Sequence, residues 1–361
     1  MSIIVLAGGG TGGHVYPALA IGDVLKERGH TVLYYGDPDR LEGRVAPERG
    51  YDFRPVHAMQ YPRGGLMGKV RFALGLLRST LASRGQLKAD KVDAVLGVGG
   101  YISAPPVLAA ASLGLGRAIH EANVVPGMAN KLCARVAQQI LLTWEATRHR
   151  LPGSAPRHLV GVPVNPAVLQ GTKEDALAHY GLQAGRPVVV FVGGSLGAAR
   201  LNELAVSTAK AVGRTFQVVH ITGPKYEAQV LEAHGGQAPE GVTVRGYEDK
   251  MAMAYAVADL VVCRAGSSTL AELTAVGRAS LLIPSPNVTE NHQEGNARSL
   301  EAVGAAEVLV EQGWELDGAV SRVLALAADL EHLREMGQAA LGEARLDAAR
   351  AAADVVESLL R

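Results

Sequence analysis

Ile3-Ile4-Val5-Leu6-Ala7-Gly8-Gly9-Gly10-Thr11-Gly12-Gly13-His14 opens the chain and sets its architecture. Five apolar residues read as a short strand, and five of the six that follow are glycine. An amphipathic stretch then runs from His14 to near Gly29 and reads as a helix. Strand, bare turn and helix in that order gather backbone N–H groups and a helix N-terminus at one spot. Such a spot suits a phosphate, because the amides and the helix dipole both favour negative charge. Glycine is needed there because side chains would hold the ligand away from the backbone. The expected ligand is phosphorylated.

The remainder repeats this design. Strand-like apolar runs at 31–35, 92–97, 117–120 and 138–142 alternate with helix-like stretches, and the pattern resumes at 187–192, 216–221, 259–262 and 279–283. That is the β-α alternation of parallel sheets, and runs apolar on both faces fit sheets covered on both sides. Pro187–Val192 leads into Gly193-Gly194-Ser195-Leu196-Gly197 and a helix from Ala198 to Val212, a second start about 185 residues after the first. Two doubly wound domains facing each other follow, with a hinge expected in 151–166, which carries four prolines. An Ala/Arg/Glu-rich helix is expected to close the chain at roughly 343–360.

Composition sets outer bounds. The chain has 361 residues, 48% apolar and 19% charged, enough for two ordinary domains with their own cores. Basic and acidic residues balance at 35 each, so bulk charge points to no polyanionic partner such as nucleic acid. Cys133 and Cys263 stand alone, a reduced cytosolic profile without a zinc framework. No signal peptide and no membrane-spanning run is expected.

Several further stretches carry chemistry. Gly8, Gly10 and Gly13 fit GxGxxG, and Asp37 stands 24 residues past Gly13, where a dinucleotide-binding acid would sit. His14, at the mouth of the first helix, meets a ligand there as a general base, its neutral form favoured by the helix end. Gly99-Gly100-Tyr101-Ile102-Ser103 and His120-Glu121-Ala122-Asn123 each follow a strand, at the carboxyl ends where ligands gather in open α/β sheets. His120 and Glu121 equally fit an internal pair shaping the loop. Asp259–Cys263 runs into Arg264-Ala265-Gly266-Ser267-Ser268-Thr269 and a helix through Gly277, capped by Ser267 or Ser268. This second helix N-terminus suits a diphosphate, and Glu272 one turn inside suits the hydroxyls of a ribose. Between Arg63 and Lys91 seven basic residues face one acid, Asp90, while Leu66, Val70, Leu74, Leu77 and Leu81 repeat at helical spacing. The segment fits an anionic membrane surface or a core-facing stripe with a solvated basic back.

Taken in order, Gly9–His14, Gly99–Ser103, His120–Asn123, Gly193–Ser195, Cys263–Gly266 and Asn291–Gln293 resemble a family. It is the bacterial peptidoglycan glycosyltransferases that add N-acetylglucosamine to undecaprenyl-pyrophosphoryl-N-acetylmuramyl-pentapeptide. The resemblance implies the GT-B fold, two doubly wound, Rossmann-like parallel-sheet domains with UDP-N-acetylglucosamine in the cleft. The N-terminal acceptor- and membrane-binding domain would span 1–162, with the C-terminal helix of about 341–361 packing back on it, and the donor domain 163–340. By similarity, Glu248 marks the backbone that meets uracil and Glu272 the ribose. Ser195 and Ser267, Ser268 and Thr269 lie on the donor's phosphates, Leu270 and Ala271 belong to the substrate-binding run beside them, and Gln293 and Asn123 hold the sugar. Thr11, Gly12, Gly13 and His14 face the diphosphate and acceptor, with Gly100, Tyr101, His120 and Glu121 on the acceptor side. The resemblance also implies a peripheral protein on the cytoplasmic face of the cell membrane, wall-synthesis partners, and roles in cell shape and division. The chain departs from the family at Ala122 and Leu196, where Gln is common, and at Glu248, where Ile is common. It also has Asn165 where the family's Asn-Pro-x-Arg motif puts an arginine on the diphosphate. Arg200 or Arg264 are the candidates to replace it.

The implied chemistry is an inverting displacement with His14 as base. No Asp-x-Asp motif stands beside the phosphate loops, so neither an active-site metal nor another cofactor is expected. A UDP-N-acetylglucosamine 2-epimerase on the same architecture, a dehydrogenase and a non-catalytic nucleotide-sugar scaffold are the rival readings.

Overall fold

The computed structural model describes residues 1–58, 65–213 and 215–360. Arg63 of the basic run lies outside the described residues, as does the side chain of Leu66. The chain divides into two compact units, Met1–Pro163 with Arg345–Arg361, and Val164–Ala344.

In the first unit seven strands form one parallel sheet: β1 (Ile3–Gly8), β2 (Thr31–Gly36), β3 (Asp52–Pro55), β4 (Ala94–Gly99), β5 (Gly116–Glu121), β6 (Gln139–Leu142) and β7 (Arg157–Leu159). Their order is β3-β2-β1-β4-β5-β6-β7. Successive side chains of a strand point to opposite faces, and β1 shows why both must be apolar. Ile4 and Leu6 join a core with the helix Gly12–Glu27, whereas Val5 and Ala7 join one with the helix Ala104–Leu113. The last helix is Ala348–Glu357, shorter than the sequence suggests, because the preceding helix Leu330–Gly342 ends and the chain turns before it restarts. Ala352, Ala353 and Val356 complete the first core, and Arg28 ties the helix down through Asp354 and Glu357, each at 2.7 Å.

The second unit repeats the scheme with six parallel strands, β8 (Val188–Val192), β9 (Gln217–Ile221), β10 (Val242–Arg245), β11 (Leu260–Cys263), β12 (Ser280–Leu282) and β13 (Ala306–Val308), ordered β10-β9-β8-β11-β12-β13. Strand order reverses between β1 and β4 in one sheet and between β8 and β11 in the other. Loops leaving such a pair run to opposite faces and leave an opening beyond the strand ends, which is where doubly wound sheets bind ligands. Every glycine loop singled out above leaves one of these four strands.

Candidate functional site

In the first unit the loop after β1 is held from below. Glu42, on the short helix Leu41–Glu48, is fully buried and accepts hydrogen bonds from the amides of Gly10 (3.0 Å) and Asp37 (3.3 Å). A Cβ at Gly9 would sit 1.9 Å from the Glu42 carboxylate, so only glycine lets the loop rest on it. Tyr34 donates its hydroxyl to the carbonyl of Gly8 at 3.2 Å. The loop after β4 closes over the first: Gly9 N–H donates to Gly99 O at 3.3 Å, and a Cβ on Gly100, whose φ is +76°, would lie 2.6 Å from Gly9 O. Two glycine loops thus meet backbone to backbone at the switch point.

His14 stands in the first turn of the helix Gly12–Glu27, half-buried, with Nδ1 3.3 Å from Gly9 O and 3.3 Å from Thr11 Oγ1. A carbonyl only accepts, so this contact assigns the proton to Nδ1 and the lone pair to Nε2. The ring lies against Gly99, where a Cβ would fall 2.9 Å from Nε2. Gly12 and Gly13 head the helix at partial exposure, and Thr11 is exposed.

The loop after β5 is organised from within. His120 and Glu121 are 1% and 2% exposed, so neither presents its side chain to an acceptor; the internal-pair reading describes them. His120 donates from Nε2 to Gly161 O at 2.8 Å; burial pushes its pKa down to about 4, with that bond opposing and nearby His14 adding. The Glu121 carboxylate accepts from Asn123 N (2.9 Å), Asn130 Nδ2 (2.9 Å) and Gly127 N (3.1 Å). Burial still raises its pKa above the usual value against those bonds. Asn123, half-buried, is fixed by Glu121 and by Thr147, which donates to its carbonyl at 3.1 Å.

In the second unit, Ser195 and Leu196 are exposed on the loop after β8. The helix after β11 spans Ser267–Val276 with Gly266 as its N-cap, so neither Ser267 nor Ser268 caps it. Gly266 takes the extended cap conformation (φ −70°, ψ 139°), which moves both serines into the first turn. Ser268 Oγ is buried with no hydrogen-bond partner. Thr269 and Ala271 are partly exposed, but Leu270 is fully buried in the core and offers no side chain to a ligand. Glu272 accepts from Tyr255 Oη at 2.6 Å, and burial raises its pKa against that bond. Gln293 is anchored by Ser285 N, which donates to its Oε1 at 2.9 Å.

Glu248 and Asn165 have structural explanations. The Glu248 carboxylate, 4% exposed, accepts from Tyr180 Oη (2.8 Å), Lys250 N (2.9 Å), Arg245 Nη1 (3.0 Å) and His179 Nε2 (3.2 Å). Burial alone would raise its pKa, and these partners outweigh burial and hold it below the usual value. Tyr247 beside it is exposed. Asn165 caps the 3-10 turn Pro166–Leu169, accepting from Ala167 N at 3.0 Å. Arg264 Nη1 donates to Ile283 O at 3.1 Å and lies 2.5 Å from Glu311 Oε2, an ion pair not aligned for a hydrogen bond. Arg200 pairs with Glu203 at 2.8 Å. Both candidate replacements are therefore engaged within the unit. Among the described residues no group of three or more His, Cys, Asp and Glu side chains is placed to hold a metal.

Sequence reasoning missed Glu42, Tyr255 and the trio around Glu248. Each is an ordinary acid, tyrosine or base by sequence, and only the fold brings it against the loop it supports.

Comparison with known proteins matches residues 4–142 to the glycosyltransferase family 28 N-terminal domain and 188–355 to the glycosyltransferase family 28 C-terminal domain. A UDP-N-acetylglucosamine–N-acetylmuramyl-(pentapeptide) pyrophosphoryl-undecaprenol N-acetylglucosamine transferase of Halothermothrix orenii is 38% identical over 344 residues, 93% of each chain. The enzyme of that name from Clavibacter sepedonicus is 38% identical over 366 residues, covering 99% of this chain and 96% of its own. The crystal structure of Acinetobacter baumannii MurG superposes with a TM-score of 0.82 at 28% identity, covering 99% of this chain and all of that one. The fold is thus GT-B, and the chain belongs to the glycosyltransferase family 28 transferases that carry this N-acetylglucosamine transferase name.

Proposed function

We propose that this chain moves N-acetylglucosamine from UDP-N-acetylglucosamine to the 4-hydroxyl of N-acetylmuramyl-pentapeptide on undecaprenyl pyrophosphate, a step of peptidoglycan synthesis. The observation that carries the reading is 38% identity running through both units to transferases of that specificity. Family membership sets aside the dinucleotide reading of Gly8–Gly13 and Asp37.

The geometry supports definite roles. His14 Nε2 takes the proton of the acceptor hydroxyl, whose oxygen attacks the anomeric carbon from the face opposite the diphosphate. The anomeric C–O bond breaks, its electron pair leaves with UDP, and configuration inverts. Gly9 O holds the imidazole in the required tautomer, as an orienting acceptor does for a base. Thr11 and the amides of Gly12 and Gly13 line the acceptor side with Gly100 and Tyr101. His120 and Glu121 shape the loop that presents Asn123 to the sugar. The N-terminus of Ser267–Val276 and Ser195 meet the donor diphosphate, where preorganised amides stabilise leaving charge. This arrangement needs no resident metal or other cofactor. Glu272 accepts from the ribose hydroxyls, the backbone at Tyr247–Glu248 meets uracil, and Gln293 holds the sugar. Asn165 caps its turn, so the helix N-terminus and loop amides carry the diphosphate charge that an arginine would otherwise meet.

The helix Leu66–Ala89 supports peripheral attachment to an anionic membrane. Met67, Val70, Leu74, Leu77 and Leu81 are all exposed along it, between Lys69, Arg71 and Arg78. The apolar stripe thus faces outward, against the core-facing reading. No described helix is long and apolar enough to cross a membrane. A lipid-linked substrate and a nucleotide donor support a position on the cytoplasmic face of the cell membrane, where other wall-synthesis proteins would be its partners.

The test is incubation of purified protein with labelled UDP-N-acetylglucosamine and a short-chain lipid-linked muramyl-peptide acceptor. Acceptor-dependent UDP release with label in the lipid fraction is expected. Tight UDP binding without transfer to any acceptor would overturn the assignment.

A further inference from the structure

The first unit holds a cavity of which the roles above use only Tyr101. It has a volume of about 270 Å³ and is lined by Phe72 and Leu76 of the helix Leu66–Ala89, by Tyr101 and Ala104, and by Met128, Ala129 and Leu132 among others. Lys131 and Arg135 complete the lining, and the exposure of Met128 and Arg135 marks its open side.

Three features identify an occupant. The wall is almost wholly aliphatic and aromatic, so it accepts hydrocarbon and rejects sugar or peptide. Two cations stand with that wall, a pairing that suits an apolar chain ending in an anionic group. Tyr101 lies two residues after Gly99, the residue packed on the His14 ring, so the cavity lies beside the loops expected to hold the acceptor's sugar and pyrophosphate. Phe72 and Leu76 reach it from the inner side of the helix whose outer side carries the exposed stripe. The same helix thus separates an enclosed apolar slot from an apolar surface.

We infer that this cavity is a binding subsite for the first isoprene units of the acceptor's polyprenyl chain, with Lys131 and Arg135 toward its pyrophosphate. The inference rests on the transferase reading and deepens it. The slot fixes where the lipid leaves the glycine loops, so chain length and branching enter acceptor recognition directly rather than only through membrane attachment.

The test separates the two readings. Acceptors with the same pyrophosphoryl muramyl-pentapeptide on methyl, geranyl and geranylgeranyl chains are assayed in neutral detergent. Geranylgeranyl pyrophosphate, which lacks the sugar, is titrated against the full-length protein by calorimetry. The native protein should bind geranylgeranyl pyrophosphate and show KM falling from methyl to geranylgeranyl acceptor at constant kcat. Ala129→Phe, which fills the slot, should raise KM for the geranylgeranyl acceptor about tenfold, as expected when contact with roughly two chain carbons is denied. It should leave the methyl acceptor unchanged and weaken geranylgeranyl pyrophosphate binding in parallel. Leu132→Trp serves the same purpose should Ala129→Phe fail to fold. A KM independent of chain length in the native protein, or a filled variant with native chain-length dependence, would overturn the inference. Palmitoyl phosphate competing as well as geranylgeranyl pyrophosphate would also overturn it, by making the slot a general acyl site. Absence of turnover with every acceptor, alongside geranylgeranyl pyrophosphate binding lost in Ala129→Phe, would sink the transferase reading and keep the subsite.

Discussion

His14 and Glu42 divide the work of one loop, and they predict different losses. His14 is half-buried with contacts of 3.3 Å, so His14→Ala should leave the thermal midpoint near native. Turnover should fall by about a hundredfold or more, the usual contribution of a positioned base. Near-native turnover in a folded His14→Ala protein would remove the base role. Glu42 touches no substrate in the proposed reaction, yet Glu42→Ala strands two amide donors and opens the space under Gly9. The two amides lie in part-buried surroundings, and a lost hydrogen bond to a charged group costs about 1.5–3 kcal/mol, so denaturant unfolding should shift by about that amount and kcat should drop as the loop relaxes. Glu42→Gln keeps one carbonyl oxygen for one of the two amides and should fall between. Equal stability and turnover in native and Glu42→Ala proteins would show the carboxylate to be incidental. Only one of these two residues was legible in the sequence. His14 announces itself by following the glycines, whereas Glu42 shares its helix with Glu48, which is exposed and pairs with Arg44. Nothing local distinguishes the two acids; the crossover from β2 does.

Elements were legible in proportion to how completely they are buried. Central strands such as β1 and β8 are apolar on both faces and stand out, with bounds within two or three residues of the apolar runs. The edge strands β3 (Asp-Phe-Arg-Pro), β7 (Arg-His-Leu), β10 and β13 are short and mostly half-exposed, so they lack that signal. Strand β7 even lies inside the proline-bearing stretch 151–166 that reads as a hinge, while the boundary between units falls at Pro163 within the same stretch. A helical stripe shows its period and conceals what it faces. For Val70, Leu74, Leu77 and Leu81 the core side of the helix is already taken by Leu76 and Leu87, and the stripe turns outward. That orientation predicts the behaviour of the element. The double variant Leu74→Glu/Leu77→Glu should lose co-sedimentation with phosphatidylglycerol vesicles, because it removes apolar area and adds charge repelled by the anionic surface. Turnover of a short-chain acceptor in detergent should stay native. Undiminished vesicle binding would mean that another surface carries the attachment.

At the scale of the molecule, each unit carries one buried histidine near a strand end facing its ligand loops, and the two set a common acid limit. Burial pushes the pKa of His120, at the end of β5, down to about 4, and that of His220, on β9, down to about 3. The cause is visible in each case. His120 Nε2 already donates to Gly161 O, so a second proton at Nδ1 would charge a group that is 1% exposed. His220 holds Asn202 Oδ1 at 2.9 Å through Nε2, while Asn202 Nδ2 donates to Thr222 O at 3.1 Å. Its Nδ1 is buried with no partner, and a proton there would be an unpaired donor. In the unfolded chain both rings take up protons near pH 6.5. Between that value and the folded pKa the unfolded state therefore holds more protons, and stability rises with pH. The stabilisation is complete above 6.5 and is lost as pH falls toward about 4 for His120 and about 3 for His220. Each histidine should contribute a slope that grows from about 0.7 kcal/mol per pH unit near pH 6.5 to about 1.4 in the middle of that window. Guanidinium unfolding followed between about pH 7 and pH 5, compared between native and variant proteins, measures it, because Glu121 and Glu272, whose pKa values burial raises, add a slope of opposite sign common to both. His120→Gln should flatten the slope for the first unit and His220→Gln for the second, each at some loss of stability near neutrality. Slopes untouched by both substitutions would show that neither ring is held neutral by the fold.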